Sequence, residues 1–128
     1  MIRPLATLGL AVAVTACGGE APPQVSAGKP SLPEFADPHL AAGRAVWIAV
    51  CRGCHETGVA DAPRLGDRTA WRPRIAQGRA TLHRHAIDGF FGPKGTMMPA
   101  RGGNPMLADE QVKAAVDYMV AASRAARE

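Results

Sequence analysis

Two cysteines and a histidine near the middle of the chain are the residues best suited to chemistry. Cys51 and Cys54 are separated by two residues, and His55 follows directly in the stretch AVCRGCHETG, residues 49–58. Three kinds of site use such a pair: a redox-active dithiol, half of a zinc site, and a point of covalent haem attachment. The surrounding sequence has to distinguish among them.

Two of these sites lack the context that they need. A thioredoxin-like dithiol follows a strand in a βαβ unit, whereas the residues before Cys51 have a helical pattern. In DPHLAAGRAVWIAVC, Asp37 is placed to cap a helix, Pro38 suits its first position, and apolar residues recur every three or four positions. A zinc site needs four ligands, but no second cysteine pair follows, and His83 and His85 stand apart from the motif.

The motif fits covalent haem attachment. Each thiol can add to one vinyl group on the same porphyrin edge, and two intervening residues match the separation of those groups. His55, one position further on, can then present its imidazole to the iron from below the ring. The chain contains one such motif. The sequence therefore predicts one haem c, held by Cys51, Cys54 and His55.

The N-terminal part of the chain has the composition of a targeting segment and a linker. Residues 1–16 are predicted to be a secretory signal, because Arg3 precedes the apolar run LATLGLAVAVTA, which is too short to span a bilayer. The run ends in VTAC, which resembles the lipobox of bacterial lipoprotein precursors, with Cys17 as the lipid acceptor. Cleavage that leaves Cys17 a free thiol is the alternative. Residues 17–36 are rich in proline and glycine and are predicted to be a flexible tether.

Residues 37–128 are predicted to form one all-α domain. They number about 90 and contain few large aromatic side chains, so the core that they can build is small. Domains of this size usually need a disulfide, a metal or a large ligand for stability. Three to five helices wrapped around one haem would meet that need.

The ligand on the second face of the iron is expected among the methionines and histidines. Met97 and Met98 lie in GFFGPKGTMMPARGGNP, whose glycines and prolines predict a loop that can direct a thioether at a metal. The other candidates are interpreted as packing, exposed or hydrogen-bonded positions: Met106, Met119, His39, His83 and His85.

The order of these motifs resembles that of class I c-type cytochromes, and more narrowly the bacterial cytochrome c5 branch. The likeness runs from about residue 40 to residue 121 through GRAVWIAVCRGCHETG, DAPRLGDRTAWRPRIAQG, TLHRHAIDGFFGPKG, MMPARGGN and DEQVKAAVDYMV. The resemblance implies the class I cytochrome c fold, in which Gly43 and Trp47 face the last helix. It also makes Met98 the second axial ligand, because a proline and a basic Gly-Gly turn follow it, with Met97 as the alternative.

The same resemblance implies supporting roles for three further residues. The carbonyl of Pro63 is expected to accept a hydrogen bond from the ring N–H of His55, which would fix the tautomer of the ligand. Trp71 and Arg74 are expected to hold the haem propionates, since buried carboxylates need donors. Simple core packing is the alternative interpretation of Trp71.

The predicted function is the transfer of single electrons between redox partners in the cell envelope, without catalysis. Histidine on one face of the iron and methionine on the other leave no open position for a small-molecule substrate, and a thioether favours the reduced iron. One alternative is a haem c subunit of a larger oxidoreductase or terminal oxidase. Another is a haem enzyme or gas sensor with a labile methionine ligand.

Charge and targeting indicate the partners and the location. The chain has a net charge of +4, and arginines crowd one stretch of it: Arg64, Arg68, Arg72, Arg74, Arg79 and Arg84. They form either a solvated face with propionate counterions or a rim that docks an acidic redox protein. Nucleic acid is a poor match for an exported haem protein.

We expect the protein to lie in the periplasm or cell envelope, held to a membrane by a lipid anchor. Gly18 after Cys17 favours the outer membrane.

Overall fold

The computed structural model of the chain describes residues 32–126. The predicted signal peptide, the predicted lipidation site Cys17 and the tether before residue 32 lie outside the described residues. The described residues start at Leu32 and so include the last part of the stretch predicted to be a tether, residues 17–36.

The described residues are mainly helical. Between residues 32 and 126 lie five α-helical segments: α1 (Pro38–Val46), α2 (Arg52–His55), α3 (Arg68–Ile75), α4 (Arg79–Asp88) and α5 (Asp109–Ala125). A π-helical turn joins α1 to α2, and the remaining elements are short: Trp47–Cys51 (π turn), Val59–Asp61 and Ala100–Gly103 (3₁₀ turns), β1 (Phe90–Phe91) and β2 (Met97–Met98). The two strands pair antiparallel. Within the described part of the chain, no helix combines the length and apolar character needed to cross a membrane.

The first and last long helices pack directly on each other. They approach most closely at Gly43 of α1, where a Cβ atom would collide with the backbone carbonyl of Ala114 in α5, so only glycine fits. One turn further along, the rings of Trp47 and Tyr118 pack with centroids 6.1 Å apart, and both side chains are fully buried. The contact that the sequence predicted through Gly43 and Trp47 is present, with Tyr118 opposite Trp47.

The segment before α1 is part of the packed structure. Leu32 and Phe35 lie against the core, and the hydroxyl of Tyr118 donates to the carbonyl of Pro33 at 3.0 Å. The carboxylate of Asp37 then caps α1 as predicted, by accepting two backbone N–H groups of its first turn. The described part of the predicted tether therefore packs against the helical domain.

A buried carboxylate connects three helices. Asp117 of α5 is 6% exposed, and it accepts hydrogen bonds of 2.9 Å from Nε2 of His39 in α1 and of His83 in α4. The guanidinium of Arg79 lies 3.2 Å from the same carboxylate. Burial acts to raise the pKa of Asp117, but the hydrogen bonds from both histidines and the charges of His83 and Arg79 outweigh it, so the pKa lies below the ordinary carboxyl value.

We expect the substitution Asp117→Asn to lower the free energy of unfolding at neutral pH by about 1.5–3 kcal/mol, the usual contribution of hydrogen bonds to a charged group. Because the folded-state pKa is lowered, the contribution of Asp117 is fully present above the unfolded pKa of about 3.9 and is lost as the pH falls through the folded value. Guanidinium denaturation of the wild type and of Asp117→Asn, from neutral pH to about pH 3, measures the difference between their free energies of unfolding. The difference between them should narrow below about pH 4.

Asp88→Asn is the matched control, because Asp88 is an exposed carboxylate on α4. A loss of stability in Asp117→Asn no larger than in this control would contradict the role of Asp117. So would a difference that stays constant down to the acid end of the series.

Candidate functional site

A cavity of about 350 Å³ lies among α2, α3, α4, α5 and the β1–β2 hairpin. Its volume falls in the range of about 300–1,000 Å³ that is typical of pockets for small ligands and cofactors. All the residues that the sequence predicted to bind a cofactor line it: Cys51, Cys54, His55, Pro63, Trp71, Arg74 and Met98. The rest of the wall is mainly apolar and includes Val50, Leu82, Ala86, Val116 and Met119.

The π turn Trp47–Cys51 sets the orientation of the two thiols and the imidazole. In this turn the N–H of Arg52 bonds to the carbonyl of Trp47, five residues back, whereas an α-helix pairs residues four apart. The additional residue rotates the following helix by about 100° relative to α1. As a result, Trp47, at the start of the π turn, is buried against α5, while α2 brings Cys54 and His55 to the cavity.

The ring of His55 is buried and fixed in one tautomer. Its Nδ1 donates a hydrogen bond of 2.8 Å to the carbonyl of Pro63, since a carbonyl oxygen can only accept. Nε2 therefore keeps its lone pair, which is the state in which imidazole binds a metal. Burial lowers the pKa of His55, and the charge of Arg74 lowers it further, against the opposing effect of the Pro63 hydrogen bond. The predicted contact between His55 and Pro63 is present.

The two thiols are free and differ in exposure. Cys54 is exposed and Cys51 is half-buried. Burial, and then the neighbouring Cys54, raises the pKa of Cys51 to about 11. A thiol with so high a pKa is almost entirely protonated at neutral pH, which is unsuited to a redox dithiol that must react as a thiolate.

Trp71 and Arg74 both belong to α3, but their donors differ in availability. The indole N–H of Trp71 donates to the carbonyl of Arg64 at 2.8 Å, and its ring centroid lies 6.4 Å from that of His55. Because an indole has a single N–H, that of Trp71 is already donated in this structure, and its ring packs beside His55. The contact between Trp71 and a propionate stays a prediction. Arg74 donates one N–H to the carbonyl of Ala70, which leaves most of its five N–H groups for a carboxylate.

The two adjacent methionines form strand β2, and their side chains point in opposite directions. Successive side chains in a strand point to opposite faces, and here Met98 packs against the core while Met97 is 54% exposed. Both residues border the cavity, but Met98 is the one whose side chain is held inward. Met119 is buried in the cavity wall, whereas Met106 is 87% exposed.

His85 borders the cavity, although the sequence analysis named it among the candidate iron ligands and then interpreted it as an exposed or hydrogen-bonded position. Its ring stacks on that of Phe90 with centroids 4.2 Å apart, and both residues line the cavity. A signal was present in the sequence, because Leu82, His85 and Ala86 are spaced three and four apart and therefore share one helix face. Within residues 32–126, no group of three or more His, Cys, Asp or Glu side chains is arranged to hold a metal ion.

Known proteins resemble this chain over the region that contains the cavity. Residues 38–119 match the family described as cytochrome c oxidase, cbb3-type, subunit III. Cytochrome c-555 of Chlorobaculum tepidum is 55% identical over 84 residues, which cover 66% of this chain and 77% of that protein. Cytochrome c5 of Azotobacter vinelandii is 32% identical over 79 residues, which cover 60% of this chain and 89% of the relative.

A solved structure also contains a similar chain. It is described as an electron transfer complex of nitrite reductase with cytochrome c. The similar chain superposes with a TM-score of 0.58 at 41% sequence identity, and the match covers 65% of this chain and 95% of that one.

Proposed function

The chain belongs to the cytochrome c family, and from that premise we propose that it is a His/Met-ligated monohaem protein that transfers single electrons between redox partners. Membership of the family implies covalently attached haem c with its iron, and it confirms the class I cytochrome c fold predicted from the sequence. One observation carries the residue assignment: Cys51, Cys54, His55 and Met98 all line one largely apolar cavity.

The residues around the cavity fit this cofactor. Cys51 and Cys54 supply the two thiols for its covalent attachment, and His55 offers a buried imidazole whose Nε2 is free. Met98 supplies a soft thioether, which favours reduced iron. The haem supplies reversible one-electron chemistry when it is bound. Arg74 borders the cavity with N–H groups available for a propionate.

A fixed set of ligands serves electron transfer because little has to move when the charge of the iron changes. Pro63 holds the imidazole of His55 in one tautomer and orientation. The apolar walls exclude water from the ligand side chains, and dense packing resists a change of their positions. If His55 and Met98 both bind the iron, no coordination position would be left for a substrate, which supports electron transfer over catalysis.

The absorption spectrum of protein matured in the periplasm tests the axial ligands. The ferric wild type should show the far-red sulfur-to-iron band, and the ferrous wild type should bind carbon monoxide slowly. Met98→Leu should lose the band and bind carbon monoxide rapidly, because leucine has no sulfur to coordinate. Met97→Leu is the matched control and should behave as the wild type, since the Met97 side chain is largely exposed.

Two results would contradict this assignment. Loss of the band in Met97→Leu with retention in Met98→Leu would move the ligand by one residue. A wild type that lacks the band and binds carbon monoxide at once would replace electron transfer by gas sensing or catalysis.

A lipid on Cys17 is the proposed means of tethering the protein to a membrane of the cell envelope. The apolar run followed by VTAC supports lipidation, and Gly18 supports sorting to the outer membrane. We expect Cys17→Ser to move the haem protein from the membrane fraction to the soluble periplasmic fraction without changing its spectrum. Wild-type protein that fractionates with the soluble periplasm would refute the anchor.

The proposed partners are redox proteins with acidic docking surfaces. The similar chain in the nitrite reductase complex supports a protein partner, and Arg68, Arg72 and Arg84 are exposed on the described surface. Stopped-flow reduction by an acidic ferredoxin should therefore slow as ionic strength rises. Arg72→Glu should slow it at low salt more than Arg124→Glu, the same change on α5. Equal effects, or a rate independent of salt, would exclude a localised basic rim.

A second candidate function is that of a haem c subunit in a larger oxidase. The description of the matched family favours it, whereas the match to 77% of the length of cytochrome c-555 favours an electron carrier of similar size. Size-exclusion chromatography of detergent-solubilised native membranes distinguishes them. Elution of this haem protein with an oxidase complex would support the subunit, and elution alone would support the carrier.

A further inference from the structure

The loop that follows Met98 contains a strained turn. After Met98 the chain enters the 3₁₀ turn Ala100–Gly103, in which Arg101 has φ +55° and Gly102 has φ +64°. Glycine adopts such left-handed backbone freely, but a residue with a long side chain does so at a cost. A non-glycine residue persists in this conformation only where its surroundings hold it there.

Contacts of the Arg101 side chain keep the turn in this conformation. One terminal nitrogen donates to the carbonyl of Leu107 at 2.7 Å, and the other donates to Oδ1 of Asp109 at 2.6 Å. Both acceptors lie at the start of α5, and the Arg101 side chain is only 26% exposed. A planar guanidinium can satisfy two acceptors at once in fixed geometry. Arg101 therefore connects the turn to the N-terminal end of α5.

The same turn lies against the segment that carries the cysteines. A Cβ atom on Gly102 would approach Cγ1 of Val50, in the π turn, to 2.8 Å. A small void beside the main cavity is bordered by both Met98 and Arg101. Arg101 itself does not line the main cavity. Its contacts can thus affect the cofactor site through the loop that bears Met98.

We propose that Arg101 is a positioning residue, which holds the Met98 thioether toward the iron by fixing the turn that follows it. This inference rests on the proposed function, since it takes Met98 as the axial ligand. An ordinary surface ion pair would contribute little beyond slight stability. Arg101 differs because its ion pair with Asp109 closes a short loop that has Met98 at its other end. Loss of the guanidinium should therefore release the Met98 side chain.

The experiment uses full-length haem protein with four substitutions. Arg101→Ala removes the guanidinium, and Arg101→Gly removes it while leaving a residue that adopts the left-handed backbone without cost. Arg101→Lys keeps the charge but cannot bond both acceptors in the same geometry. Lys113→Ala is the matched control, because it removes an ion pair of 2.7 Å to Glu110 on the same helix.

The measured quantities are the far-red band of the ferric protein, the rate of carbon monoxide binding to the ferrous protein, and the haem content by mass. Arg101→Ala and Arg101→Gly should keep covalent haem, lose much of the band, and bind carbon monoxide about tenfold faster, since that rate follows the population of the open loop. Arg101→Lys should lie between these variants and the wild type. Lys113→Ala should match the wild type.

A full band and an unchanged carbon monoxide rate in Arg101→Gly would overturn the proposal, even if the melting temperature falls, because the guanidinium would then have a purely stabilising role. An equal effect in Lys113→Ala would overturn it as well. Failure of the proposed function is recognised separately, because the wild type itself would then lack the band or bind carbon monoxide rapidly.

Discussion

The close packing of α1 on α5 is the contact on which the rest of the structure depends. At Gly43 the two backbones approach so closely that no side chain fits between them. The helical stretch that begins with α1 runs on through the π turn to His55, while α5 carries Val116 and Met119 into the cavity wall. The contact that closes the fold therefore also sets the attachment residues opposite the apolar wall. The site forms only when the two ends of the domain meet.

The hydrophobic core and the cofactor cavity share their walls. Trp71, Val116 and Met119 belong both to the buried cluster and to the lining of the cavity. A domain of about 90 residues buries little apolar surface by itself, so a haem bound in the proposed site would form a large part of its core. Binding of the cofactor would then be coupled to folding of the chain, because a ligand that binds only the folded state stabilises that state.

The two side chains proposed as iron ligands, His55 and Met98, are held by different physical means. His55 lies in a helix, is buried, and is fixed by a single hydrogen bond to Pro63. Met98 lies in a two-residue strand and is followed by a turn with left-handed backbone and polar contacts to α5. Packed helices resist displacement more than loops do. The methionine side is therefore the part of the site that substitution or a partner can alter most easily.

The sequence alone determined the chemistry, because Cys51, Cys54 and His55 lie within little more than one helical turn and their spacing is a local property. The roles of Pro63 and Met98 came from the order of the motifs and the resemblance to a family, because no short-range pattern in the sequence specifies these two residues. Only the tertiary structure decided which methionine packs inward, where the N–H of Trp71 is donated, and that His85 borders the cavity. The partners of Asp117 are the clearest case: His39 is 78 residues away in the chain, and contacts at such separations exist only once packed helices bring them together.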